Sequence, residues 1–108
     1  MGSKTDGLIE DLENFRRRLQ KSFAIERMIL FGSRARGRHR RSGDVDIIVV
    51  SERFRGKGAI ERATPLYLEW DLGLPVDFLC YTPEEFRDLS RRGGLVREAM
   101  REGIPISG

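Results

Sequence analysis

Two short apolar runs dominate what this chain can fold into: Met28–Phe31, which ends at Gly32-Ser33, and Ile47–Val50, which is entered through Asp44 and Asp46. The first run reads as a buried strand that stops where small residues permit a sharp turn and a close approach of backbone to a ligand. The second has an uninterrupted apolar tail, as expected of a central strand covered on both faces. If that strand begins near Asp44, its period of two places Asp44 and Asp46 on the same face. Two acids side by side repel each other unless a cation sits between them.

That pairing predicts a divalent-metal site facing a phosphate-binding turn, because Mg²⁺ is commonly held by one or two carboxylates together with substrate phosphates. Backbone N–H groups after Gly32, the Ser33 hydroxyl and the start of a following helix can all face an anion, and Arg34 and Arg36 add positive charge. Two ions held there would activate an attacking hydroxyl and offset the charge on the phosphates. Transition-state charge would be met by the turn amides and the arginines.

Gly32-Ser33, the ten residues Arg34 to Gly43, and then Asp44-Val45-Asp46 resemble the signature of the minimal nucleotidyltransferases, members of the polymerase-β-like nucleotidyltransferase superfamily. The resemblance implies an α/β (α+β) domain with a small mixed sheet flanked by helices. It also implies a third carboxylate on a later strand, for which Pro75-Val-Asp-Phe-Leu-Cys80 offers Asp77. On that pattern Asp44, Asp46 and Asp77 are the catalytic and metal-binding residues, and Gly32, Ser33, Arg34 and Arg36 bind the nucleotide. The expected activity is Mg²⁺-dependent transfer of a nucleoside monophosphate, AMP from ATP. Family chains of this size are similar to the antitoxins of HEPN–MNT toxin–antitoxin pairs, which implies a HEPN-type partner whose tyrosine is the acceptor. The alternative is a non-catalytic nucleotide-binding antitoxin that works by occluding its HEPN partner; a complete set of acids favours the enzyme.

At 108 residues the chain is expected to form a single domain, residues 1–108, with a modest core. Such a domain leaves no room for an acceptor pocket, so a partner or a second copy is expected to supply one. The net charge of +3 is concentrated in Arg34, Arg36, Arg38, Arg40 and Arg41, which predicts an anionic partner for that loop. A triphosphate satisfies this, and RNA is a less favoured candidate. The single cysteine, Cys80, has no disulfide partner or metal-ligand spacing, and no apolar stretch approaches a bilayer's thickness; both point to a cytoplasmic protein without a membrane segment.

Along the chain, Leu8, Leu12, Phe15 and Leu19 recur at helical spacing and predict an amphipathic helix over about 5–22. Ser51–Gly58 reads as a mobile, charged connection rather than a flap over nucleotide. Ile60–Asp71 has helical spacing, with Pro65 marking a kink or a late start capped by Thr64. Val76–Tyr81 is a third strand, and Thr82-Pro83-Glu84-Glu85 a capping box that starts a helix. After Gly93-Gly94, Leu95–Arg101 forms a last helix with Val96, Ala99 and Met100 buried, followed by a short strand or tail. His39 lacks a second ligand nearby and reads as a loop residue, and Tyr67 and Trp70 as core or interface.

Overall fold

The computed structural model describes residues 4–32 and 44–108. Helix α1 (Lys4–Leu19) leads into strand β1 (Arg27–Phe31); strand β2 (Val45–Val50) is followed by a 3₁₀ turn (Glu52–Phe54) and helix α2 (Ala59–Glu69). Strand β3 (Val76–Tyr81), helices α3 (Pro83–Arg92) and α4 (Leu95–Glu102) and the two-residue strand β4 (Ile104–Pro105) complete the chain. The strands form one mixed sheet in the order β3-β2-β1-β4. β2 lies antiparallel to β1 and parallel to β3. A parallel neighbour requires a crossover, and α2 is that crossover.

The period of two divides the sheet's side chains between two cores. Met28 and Leu30 of β1, Val45, Ile47 and Val49 of β2 and Phe78 of β3 join Leu8, Leu12, Phe15 and Leu19 of α1 and Leu66 of α2 in one cluster. Ile29, Ile48 and Val50 point the other way and join Phe86 of α3 and Val96 and Ala99 of α4. β2 is therefore apolar on both faces because both faces are covered, as its sequence predicts. The four-position stripe of α1 is buried throughout, with Phe15 edge-on to Trp70 and stacked on Phe78.

Local chemistry sets the element ends. Thr82 accepts from the Glu85 N–H at 3.2 Å while the Glu85 carboxylate accepts from the Thr82 N–H at 2.9 Å, the reciprocal capping box with Pro83 at its first turn. Gly93 and Gly94 both adopt positive φ, +85° and +94°, and separate α3 from α4.

Four expectations are corrected. α1 ends at Leu19, and residues 20–22 form a turn, with the Ser22 N–H donating to the Leu19 carbonyl. α2 starts at Ala59 behind Gly58, so Pro65 lies inside the helix and Thr64 is not its cap; the Thr64 hydroxyl donates back to the Ile60 carbonyl at 2.7 Å. Pro65 is on the exposed side, where water can serve the carbonyl that its missing N–H leaves behind. Met100 is 43% exposed instead of buried, since the short α4 turns Val96 and Ala99 inward and leaves Met100 at the margin, against the Arg27 guanidinium.

The fourth correction is the connection after β2, which is a built element. Ser51 is buried, donates to the Ala24 carbonyl at 2.6 Å and accepts from the Arg53 N–H at 3.1 Å. Phe54 enters the core, with its ring 6.0 Å from that of Phe23. An aromatic ring and a buried hydroxyl anchor this loop, so it is unlike the free connection that its arginines and glycines suggest.

Candidate active site

The sheet's parity decides where the acids stand. Asp46 shares its face with Ile48 and Val50, and Asp77 shares its face with Leu79 and Tyr81, which is the side packed by α3 and α4. The parallel register sets Asp46 directly opposite Asp77, and the antiparallel register sets Asp46 opposite Phe31. The ladder is tied off just before the acids by a hydrogen bond from the Val45 N–H to the Pro75 carbonyl at 2.9 Å. Asp44 is the residue before β2 and is half-buried, as is Asp46, while Asp77 is exposed.

Gly32 closes this corner. Its φ of +79° is one that side-chain-bearing residues rarely adopt, and a Cβ built on it would fall 2.8 Å from Asp46 Oδ2. Glycine is thus required twice, by the turn and by the carboxylate lying against it. The requirement is local: the end of β1 must bend away at the point where its neighbour strand presents an acid.

Among the described residues no three His, Cys, Asp or Glu side chains gather closely enough to cage a metal ion. The donor set nonetheless suits Mg²⁺, which needs only one or two carboxylates when phosphate and water oxygens complete its octahedron. Asp46 and Asp77, in register on adjacent strands, with Asp44 at the strand mouth, are the residues that would hold it. Ser33, Arg34 and Arg36, together with Arg38, His39, Arg40 and Arg41, lie outside the described residues.

One wall of this corner carries no sequence motif. A cavity of about 380 Å³ opens beside the turn, lined by Phe31 and Gly32 on one side and by Leu95, Glu98, Ala99 and Glu102 of α4 on the other. Leu95, Glu98, Ala99 and Glu102 follow helical spacing and form one face of α4. No motif marks them, because their position depends on how α4 packs across the end of β1. Cys80, on the opposite face of β3 from Asp77, is no part of the site. Burial pushes its thiol up to about 12, against a smaller opposing effect of the Arg62 guanidinium, so little thiolate forms at neutral pH. No helix among the described residues is long and apolar enough to cross a membrane.

The fold is shared with known proteins. A solved structure assigned as a minimal nucleotidyltransferase is 28% identical, with a TM-score of 0.59 over 96% of this chain and 99% of that one. A Sulfolobus solfataricus protein assigned as a nucleotidyltransferase is 18% identical, with a TM-score of 0.66 over 94% of this chain and 80% of that one. BolA1 from Arabidopsis thaliana shares a looser likeness, 21% identity and a TM-score of 0.51 over 67% of this chain and 90% of that one. At these identities the last two show likeness of fold alone. No curated protein matches the chain. The nucleotidyltransferase-domain family model matches residues 11–106, nearly the whole chain and both strands that carry the acids, and the chain belongs to the nucleotidyltransferase-domain family.

Proposed function

We propose that the chain is an Mg²⁺-dependent nucleotidyltransferase that moves AMP from ATP onto an acceptor hydroxyl, and that the acceptor is a tyrosine of a HEPN-type partner protein. The observation that carries the enzymatic reading is the register of Asp46 with Asp77 beside the Gly32 turn. A domain that only bound nucleotide would have no need of two acids on neighbouring strands facing the same way. The partner reading rests on the motif resemblance.

In the proposed reaction the acceptor oxygen attacks the α-phosphorus, the bond from that phosphorus to the bridging oxygen breaks, and pyrophosphate leaves. Asp77, the more exposed of the register pair, accepts the hydroxyl proton or orients the hydroxyl as its proton passes to water. Asp44 and Asp46 would hold the divalent ion, which would offset the charge on the phosphates. Gly32 lets the chain turn within reach of the phosphates without a side chain intervening.

The test is incubation of the protein with ATP, Mg²⁺ and the product of its neighbouring gene, followed by intact-mass measurement. The expected result is a gain of one AMP on the partner, lost with Asp46→Asn and with Asp77→Asn while both variants keep the wild-type circular dichroism. Transfer at the wild-type rate by either variant would refute the assignment of the acids. AMP found on a small molecule or an RNA would leave the acids in place and overturn the protein acceptor.

A further inference from the structure

Ile60 and Leu68 of α2 form a surface that neither the core nor the catalytic corner uses, with Tyr67 beside them packed edge-on against Phe78 of the core. Ile60 is 84% exposed, Leu68 is 83% exposed and Tyr67 is 44% exposed. Ile60, Thr64 and Leu68 follow at steps of four, with Tyr67 at a step of seven from Ile60, so they form one stripe opposite the buried Leu66. Isolated exposed apolar residues are ordinary, but the two most exposed large apolar residues of the described chain lie on the same stripe of the same helix.

The charges flanking the stripe differ at its two ends. At the N-terminal end two cations, Arg53 and Lys57, outnumber the one exposed acid of the first turn, Glu61, and among the described residues neither cation is in an ion pair; the Arg53 guanidinium lies over the Phe23 ring, 5.9 Å from its centroid. At the C-terminal end stand Glu69 and Asp71. Both meet Arg18, at 3.4 Å and 2.9 Å, yet their side chains remain 47% and 68% exposed.

We infer that this stripe is a two-fold contact between two copies of the chain, with the α2 helices antiparallel and Thr64 on the axis. A two-fold axis there sets Ile60 of each copy against Leu68 of the other, and Thr64 against Thr64. It also brings the cationic approach to α2, Arg53 and Lys57, towards the acidic exit, Glu69 and Asp71, of the second copy. A self-complementary patch is what an isologous dimer requires. A parallel pairing would set like charges together, and a partner of uniform charge would match only one end. One helix pair buries less than the roughly 800 Å² per partner of a standard interface, so the dimer dissociates on dilution. The Tyr67 hydroxyl accepts from the Phe78 N–H at 3.4 Å, which ties the stripe to β3 on the sheet face opposite Asp77. The inference itself rests on the surface and is independent of the transfer reaction.

The test is sedimentation velocity across roughly a hundredfold concentration range, over which a reversible dimer changes population by mass action. The average mass of the wild type should climb from 12.4 kDa towards twice that value. Ile60→Glu and Leu68→Glu should each stay monomeric with an unchanged melting temperature, since both side chains are already in water. Lys57→Asp should weaken the dimer and the double variant with Asp71→Lys should restore it. Thr64→Cys under oxidation should give a disulfide that peptide mapping places between residue 64 of the two copies. A wild type that stays monomeric throughout would overturn the inference, as would a dimer that survives Leu68→Glu. A monomer whose α2 stripe instead binds a different protein would assign the face to a hetero-partner and overturn it too.

Discussion

Arg62 ties four segments together, and its removal is the sharpest test of how this small domain is held. Its Nε donates to the Lys57 carbonyl at 2.7 Å, its Nη1 to the Cys80 carbonyl at 3.1 Å, and both terminal nitrogens reach the Glu85 carboxylate at 2.7 and 3.1 Å. One guanidinium thereby joins the connection before α2, α2 itself, the outer edge of β3 and the start of α3. Glu85 is held at about 2 instead of its usual 4.5, first by Arg62 and then by its capping bond to the Thr82 N–H. That fall taken whole would be worth roughly 3 kcal/mol. The Glu85 side chain is 42% exposed, however, and solvent screening reduces the contribution to about 1 kcal/mol. The two carbonyls left without their donor add about 1 kcal/mol each. Arg62→Met, which keeps the stem and removes the donors, should therefore cost about 3 kcal/mol, or roughly 10–20 °C in melting temperature for a domain of this size.

The pH dependence separates the carboxylate from the carbonyls. Glu85 has a depressed pKa in the folded state, so its stabilisation is fully present above about 4.5 and is lost as pH falls towards about 2. Urea unfolding followed by circular dichroism at neutral pH and near the acid end of that window should show the wild type losing only the carboxylate part of its advantage over Arg62→Met in acid. The carbonyl share should persist. A deficit below about 1 kcal/mol at neutral pH, or one that grows on acidification, would refute the account.

Three further outcomes are expected. Gly32→Ala should lower stability by about 1–3 kcal/mol and abolish nucleotide-dependent activity, because the new methyl meets both an unfavourable φ and Asp46 Oδ2; thermal melts and a transfer assay check this, and a neutral substitution would mean the turn is not held as described. Phe54→Ala should cost about 3 kcal/mol and speed proteolysis between Ser51 and Gly58, since a buried ring anchors that connection; unchanged protease resistance would show that the anchor is elsewhere. Cys80 should react with a thiol reagent far more slowly than free cysteine at pH 8 and catch up only on unfolding, given its raised pKa, and a rate equal to that of free cysteine would contradict its burial.

The sequence by itself determined the elements whose signal is local. The α1 stripe, the Thr82–Glu85 capping box, the doubly apolar β2 and the Gly32 turn beside a strand that opens on acids could all be read from spacing, since each depends on side chains within a turn or two of one another. Even so, α1 stops a turn early, Pro65 sits inside α2, and Met100 is left at the margin of its helix, because packing outweighs weak local preferences at element ends. Ser51 and Phe54 were misleading for a related reason: a buried hydroxyl and ring look like any loop residues until the Ala24 carbonyl and Phe23 are brought to them from more than twenty-five residues away. The candidate site divides along the same line. That Asp46 falls on the same face as Ile48 and Val50 follows from the period of two within β2, whereas Asp44, one residue before the strand, lies outside that alternation. That Asp77 stands opposite Asp46, that Asp46 lies against Gly32, and that α4 supplies the far wall of the neighbouring cavity were decided by strand order, register and helix packing. Those are relations between residues distant in the chain, and no local spacing encodes them.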